Sequence, residues 1–277
     1  MTRRLLPLIA AAAMAITAPL ASAAADTINV NGSTVFLDGS TPTSTAQSVT
    51  VYTNIAGAPN LNGSSVNAGG FAGYLNGSAT PTYFFCDELF QYLATGTNTY
   101  SVAVAGSGTA LSSYATALTT TSANALEALL VNGEPKVASH SGSITGSDAQ
   151  VNAALQVAVW AIVYNGSGLA VNPVTTSSQK FAITGSDATV ISDANYMLSC
   201  VFGGTVGGQT CASGWTTSST QDVSNYTLSG HQNLLGLTAT QTGGGGTGVP
   251  EPASMLLLGG GLAGLGAIRR RFAARRG

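Results

Sequence analysis

The chain has 277 residues, 44% of them apolar but only 7% charged, against about a quarter charged in an ordinary globular protein. Its basic residues crowd the two ends: residues 26–248 hold only Lys136 and Lys180 against ten carboxylates, a formal charge of −8. Such a body cannot neutralise phosphates, which excludes a nucleic-acid face, and it has too few charges and too many apolar residues for charge-driven disorder.

Residues 1–25 read as a secretory signal peptide. Arg3 and Arg4 are its charged start, residues 5–20 its apolar run, and Ala21-Ser22-Ala23 a small-x-small cleavage site. Cleavage after Ala25, using Ala23-Ala24-Ala25, is the alternative, and either makes the chain exported, with signal peptidase its first partner. Residues 26–240 form one compositional unit dense in turn signals. Asn-Gly stands at Asn31, Asn62, Asn76, Asn132 and Asn165, and Asp38-Gly39 adds another. Between them, residues 27–30, 48–52 and 99–104 read as strands.

Two helices interrupt that pattern. A short one spans residues 124–131 and is expected to close at Asn132-Gly133. The second opens on Ser147-Asp148-Ala149-Gln150, a Ser-x-x-Gln capping box, and runs to Tyr164 before Asn165-Gly166. It is apolar on nearly every side, so burial is expected. Gln156 stands in its middle, where a buried amide needs a partner or a purpose. The phrase Ile-Thr-Gly-Ser-Asp-Ala recurs at Ile144 and Ile183, which suggests a further helix start at Ser186.

The chain has 3 cysteines. Cys200 and Cys211 flank a glycine-rich loop and, in an exported protein, are expected to pair as a disulfide. Cys86 is left alone in Tyr83-Phe84-Phe85-Cys86-Asp87-Glu88. As a thiolate nucleophile it is poorly placed, since the adjacent acids disfavour a second negative charge. His140 and His231 stand in loop-like contexts, so neither a Cys/His hydrolase nor a zinc site is assembled. A free thiol and a buried carboxamide have one joint chemistry, an internal thioester, which survives only where water is kept out. Phe84, Phe85, Val159 and Trp160 suit that shielding. The alternative is a core cysteine beside a hydrogen-bonded core glutamine.

Residues 82–164 resemble the thioester domain of bacterial surface adhesins. That family carries an aromatic-Cys-x-acid segment and, further on, Thr-Gln-x-Ala-Ile-Trp; the counterparts here are Phe85-Cys86-Asp87-Glu88 and Leu155-Gln156-Val157-Ala158-Val159-Trp160. Leu155 replaces the family's Thr, and Val159 its Ile. Residues 225–237, with Tyr226, Gln232 and Leu235, are similar to the family's glutamine-rich final strand. The resemblance implies a cross-link between Cys86 and Gln156 and a surface amine or hydroxyl as the nucleophile.

Residues 241–248 form a Gly-rich linker. Val249-Pro250-Glu251-Pro252 follows, then the apolar run 253–268, then Arg269-Arg270-Arg271. As a helix, 16 residues span roughly 24 Å, and arginines after the run would hold that end on the cytoplasmic side. Residues 249–277 resemble the PEP-CTERM sorting signal of exosortase substrates in Gram-negative bacteria. That resemblance implies transient inner-membrane anchorage through 253–268, processing by an exosortase, and delivery to the cell surface or extracellular matrix.

The expected fold is α+β: a mainly β, barrel- or sandwich-like body with a helical insertion carrying Gln156. The expected function is a covalent adhesin that acylates a surface protein or matrix polysaccharide through the Cys86–Gln156 thioester. It uses no cofactor or metal and is not an enzyme, because each molecule reacts once. The alternative is a non-covalent structural protein of the exopolysaccharide and biofilm matrix.

Overall fold

The computed structural model describes residues 25–30, 47–168, 170–171, 179–185 and 187–239. The secretory signal over residues 1–24, the turns at Asn31 and Asp38, the helix start at Ser186, the Gly-rich linker and the C-terminal apolar run with its flanking Pro-Glu-Pro and arginines lie outside the described residues.

Eleven strands and three helices make up the described body. Six strands close into a barrel: β1 (Ala25–Val30), β4 (Phe71–Leu75), β5 (Thr82–Cys86), β11 (Leu234–Ala239), β10 (Gln221–Thr227) and β6 (Gly96–Val104), in that order around the wall. Every neighbouring pair is antiparallel, including the closing pair of β6 with β1. Closure leaves no barrel strand with an unpaired edge along its whole length. The choice between barrel and sandwich is thereby settled for this sheet. A second sheet orders β3 (Ser64–Ala68), β2 (Gln47–Thr53) and β7 (Phe181–Ile183), and a small hairpin joins β8 (Thr205–Val206) to β9 (Gln209–Thr210).

A six-stranded barrel is narrow, so side chains fill it. Ile28, Val30, Phe71, Phe84, Tyr100, Tyr226 and Leu234 do so here, all buried. Phe84 is the central ring, meeting Tyr226 edge-on at 5.3 Å. Two wall glycines make space for it: a Cβ on Gly73 would stand 2.9 Å from its ring, and one on Gly236 3.0 Å.

Three helices cover the outside. α1 is Thr120–Ser139, α2 is Asp148–Asn165 and α3 is Ala188–Phe202, and α2 packs against both of the others. As expected from its apolar surface, α2 is buried at every position from Val151 to Tyr164. Its capping box forms, with Gln150 Oε1 accepting from the Ser147 N–H at 2.8 Å, and Gly166 ends it in the left-handed region at φ 67°.

Two expectations are corrected. The first helix does not close at Asn132-Gly133; it continues through Pro135 to Ser139. Gly133 is the point where α1 crosses α2, and a Cβ there would lie 2.6 Å from Leu155 Cδ1. Asn132, instead of turning the chain, donates to the Ala128 and Thr216 carbonyls. Residues 225–237 are not one strand but the end of β10, a turn and the start of β11, with Gln232 in the turn. The repeated phrase does precede two helices, but the second is capped by Asp187, whose side chain accepts from the Thr189 N–H. The expected disulfide is present: Cys200, in the last turn of α3, is bonded to Cys211 just beyond β9.

Candidate functional site

Strand alternation places the site. On β5, Phe84 points into the barrel while Phe85 faces the helices and packs over Gly70, so β5 is a wall shared by two cores. Cys86 ends the strand, half-buried, and packs against both cores. On one side its neighbour is Leu234 of β11. On the other side the β4–β5 ladder stops at Phe71 and Phe84, and β4 provides no partner for Cys86.

Gln156 of α2 takes the missing place. Its Oε1 accepts from the Cys86 N–H at 3.0 Å, and its Nε2 donates to the Cys86 carbonyl at 2.7 Å. The side-chain amide thus pairs with the strand end as another strand would. One turn earlier on the same helix face, Asn152 does the same for Gly70, accepting from its N–H at 2.9 Å and donating to its carbonyl at 3.1 Å. Two carboxamides four residues apart fasten a buried helix across the gap between β4 and β5. Both are sealed, Gln156 at 1% and Asn152 at 0% exposure.

Beyond Cys86 the chain turns through a buried acidic segment. Glu88 accepts from Ser112 Oγ at 2.9 Å, and Gln232 Nε2 donates to the Glu88 carbonyl. Tyr164 of α2 accepts from the Leu89 N–H at 3.0 Å, and its hydroxyl also lies within 3.4 Å of the Asp87 carbonyl, Glu88 Oε1 and Ser112 Oγ. Asp87 differs from its neighbours. It is 0% exposed, and neither carboxyl oxygen has a hydrogen-bond partner among the described residues. Burial, then the charge of Glu88, pushes its carboxyl well above the usual range; its own and Glu88's backbone N–H groups pull the other way, but neither bonds to it in good geometry. Burial and Glu88 thus favour the neutral carboxyl over the carboxylate at Asp87.

Burial also drives the Cys86 thiol far up, and the neighbouring Asp87 adds to it, so the thiol is neutral. Inside the barrel, Tyr100 is pushed up to about 12, first by burial and then by Cys86.

The structure therefore brings Cys86 and Gln156 together, with Phe84 on the same face of β5 as Cys86. Phe85 lies on the opposite face. Val159 is fully buried in the helix-side core, and Trp160 packs its ring on Phe181 of β7 at 6.0 Å. Leu155, where the resembling family carries Thr, points at Gly133 of α1. His140 caps α1 and pairs with Asp148 at 2.7 Å, and His231 is exposed. Asn152, Tyr164, Ser112 and the free carboxyl of Asp87 were not singled out from sequence. For Asn152 the signal was present: a second carboxamide one turn from Gln156 in an otherwise apolar helix.

Among the described residues no helix is long and apolar enough to cross a membrane. No curated protein and no solved structure matches the chain. A family model does match its C-terminal end: residues 248–271 carry a PEP-CTERM protein-sorting motif, the mark of an exported protein sorted by an exosortase.

Proposed function

We propose that the body is a single-turnover covalent adhesin, or matrix-coupling module, in which Cys86 and Gln156 form an internal thioester. The observation that carries this reading is the pair of hydrogen bonds holding the Gln156 carboxamide on the backbone of Cys86. In bond formation the Cys86 sulfur attacks Gln156 Cδ and gives up its proton, the Cδ–Nε2 bond breaks, and the nitrogen gains one proton and leaves as ammonia. The Cys86 N–H, already on Oε1, would hold the oxyanion that develops. Phe84, on the same face of β5 as Cys86, and Val159 and Trp160, one turn beyond Gln156 on α2, would keep water from the product, whereas Phe85 lies on the opposite face of the strand. An amine or hydroxyl of a surface protein or matrix polysaccharide then takes the acyl group and frees the thiol. This is stoichiometric chemistry, not enzymatic turnover.

The two ends provide delivery. Signal peptidase removes residues 1–25, the 253–268 segment holds the chain briefly in the inner membrane, and the exosortase acts at Pro250-Glu251-Pro252 of the sorting motif. The 26–240 body is then displayed at the surface or in the matrix. Methylamine tests the chemistry: it should add at Gln156 and release one alkylatable thiol at Cys86, and Cys86→Ala should abolish both. Alkylation of Cys86 in unfolded protein never exposed to a nucleophile would contradict it.

The second reading, a non-covalent matrix protein, is favoured by a different observation. Asn152 grips Gly70 through the same two bonds, so the carboxamides also work as clamps that dock α2. Surface binding that persists in Cys86→Ala would support it.

A further inference from the structure

We propose that Asp87 is the acid–base residue of the Cys86–Gln156 reaction, one carboxyl oxygen taking the thiol proton while the other gives its proton to the amide nitrogen. This rests on the thioester reading above. Asp87 follows Cys86 directly, is sealed from solvent, and keeps both carboxyl oxygens without a hydrogen-bond partner among the described residues. The groups around it are held: Glu88 by Ser112 on its side chain and by Gln232 on its carbonyl, and the Leu89 amide by Tyr164. A polar segment so fully tied, with one buried carboxyl left without a partner in the residue that follows Cys86, calls for a reason beyond structure.

The chemistry supplies one. A neutral thiol attacking an amide must lose a proton, and the amide nitrogen must gain one before it can leave. Doing these separately would create charge in an apolar site, where charge is costly. A neutral carboxyl, with one O–H and one bare oxygen, moves both protons in one event. The Sγ–Cδ bond forms, the Cδ–Nε2 bond breaks, ammonia departs with the proton from Asp87, and Asp87 ends protonated by the thiol. When an amine or hydroxyl later attacks, the same group takes the nucleophile's proton and returns one to the Cys86 sulfur as Sγ–Cδ breaks. The titratable groups that face it are Glu88 in the same turn, Cys86 on β5 and Tyr164 from α2. Burial and Glu88 favour the neutral carboxyl that the step requires.

The test is Asp87→Asn in the exported mature protein, compared with wild type by intact mass and by the rate of methylamine addition. Wild type is expected linked. The variant is expected folded, with its Cys200–Cys211 disulfide intact but its Cys86 thiol free, and any linked fraction reacting about 100-fold more slowly. A variant that links and reacts like wild type would overturn the role of Asp87 and leave the thioester standing. An unlinked wild type would overturn the thioester reading and Asp87's role with it. Should Asp87→Asn fail to fold, the wild-type pH profile decides. Corrected for free amine, the methylamine rate should fall as pH rises through the titration of Asp87; a flat profile would overturn the proposal.

Discussion

Asn152 is the residue whose role is simplest to isolate, because it clamps the backbone of Gly70 and has no part in the proposed chemistry. Asn152→Ala leaves a buried N–H and a buried carbonyl unpaired, and should lower stability by about 2–4 kcal/mol, as read from the midpoint of urea unfolding. The thioester should survive in whatever fraction remains folded. Glu134 of α1 offers a test in pH. Its Oε1 is buried without a partner among the described residues, and burial pushes its carboxyl up to about 8. An unfolded glutamate titrates near 4.3, so the folded state binds the extra proton between these values. Stability from this group is therefore complete at low pH and is lost as pH rises from about 4.3 to about 8. Glu134→Gln should flatten that slope and raise stability at pH 7 by about 1 kcal/mol or more. Unfolding midpoints measured at pH 5 and pH 8 would check it.

At the scale of the element, the crossing of α1 over α2 is a close contact that a glycine makes possible. Gly133→Ala would force a methyl to 2.6 Å from Leu155, and should cost about 1–3 kcal/mol despite the higher helix propensity of alanine. A thermal melt should show the loss, and Leu155→Ala on the same background should recover part of it. The same crossing shows what sequence could and could not reveal. α2 was legible because its capping box, apolar surface and Asn165-Gly166 stop all agree. The extent of α1 was not: Asn-Gly and Pro135 are local stop signals, and only the close approach to Leu155 explains a glycine inside the helix. Strands β1, β2 and β6 followed from their β-branched, alternating runs. The β10–β11 turn was hidden because its Gly230 and Asn233 lie in a stretch that could be read as a strand.

At the scale of the molecule, barrel closure depends on pairings between distant segments, such as β1 with β6 and β5 with β11, which no local pattern encodes. The Cys86–Gln156 juxtaposition is likewise non-local, 70 residues apart along the chain. Chemistry and family resemblance made that pair legible, whereas its geometry required the fold. The part proposed for Asp87 stayed hidden because, without its burial, an acid next to Cys86 reads only as a brake on thiolate formation. The sorting motif at residues 248–271 carries its own prediction. Mature protein recovered from the surface or medium should begin near Ala24 or Asp26 and yield no peptide containing Arg275 or Arg276. N-terminal sequencing and peptide mapping would check this.

The intact mass of the mature, untreated protein tests the thioester most directly. A linked protein weighs one ammonia less than its sequence, beyond the two hydrogens lost in the Cys200–Cys211 disulfide. The same loss should be absent from Cys86→Ala and Gln156→Ala. A mass that equals the sequence less only the disulfide hydrogens, with Cys86 open to alkylation after unfolding, would contradict the covalent account and leave Gln156 as a clamp between α2 and β5.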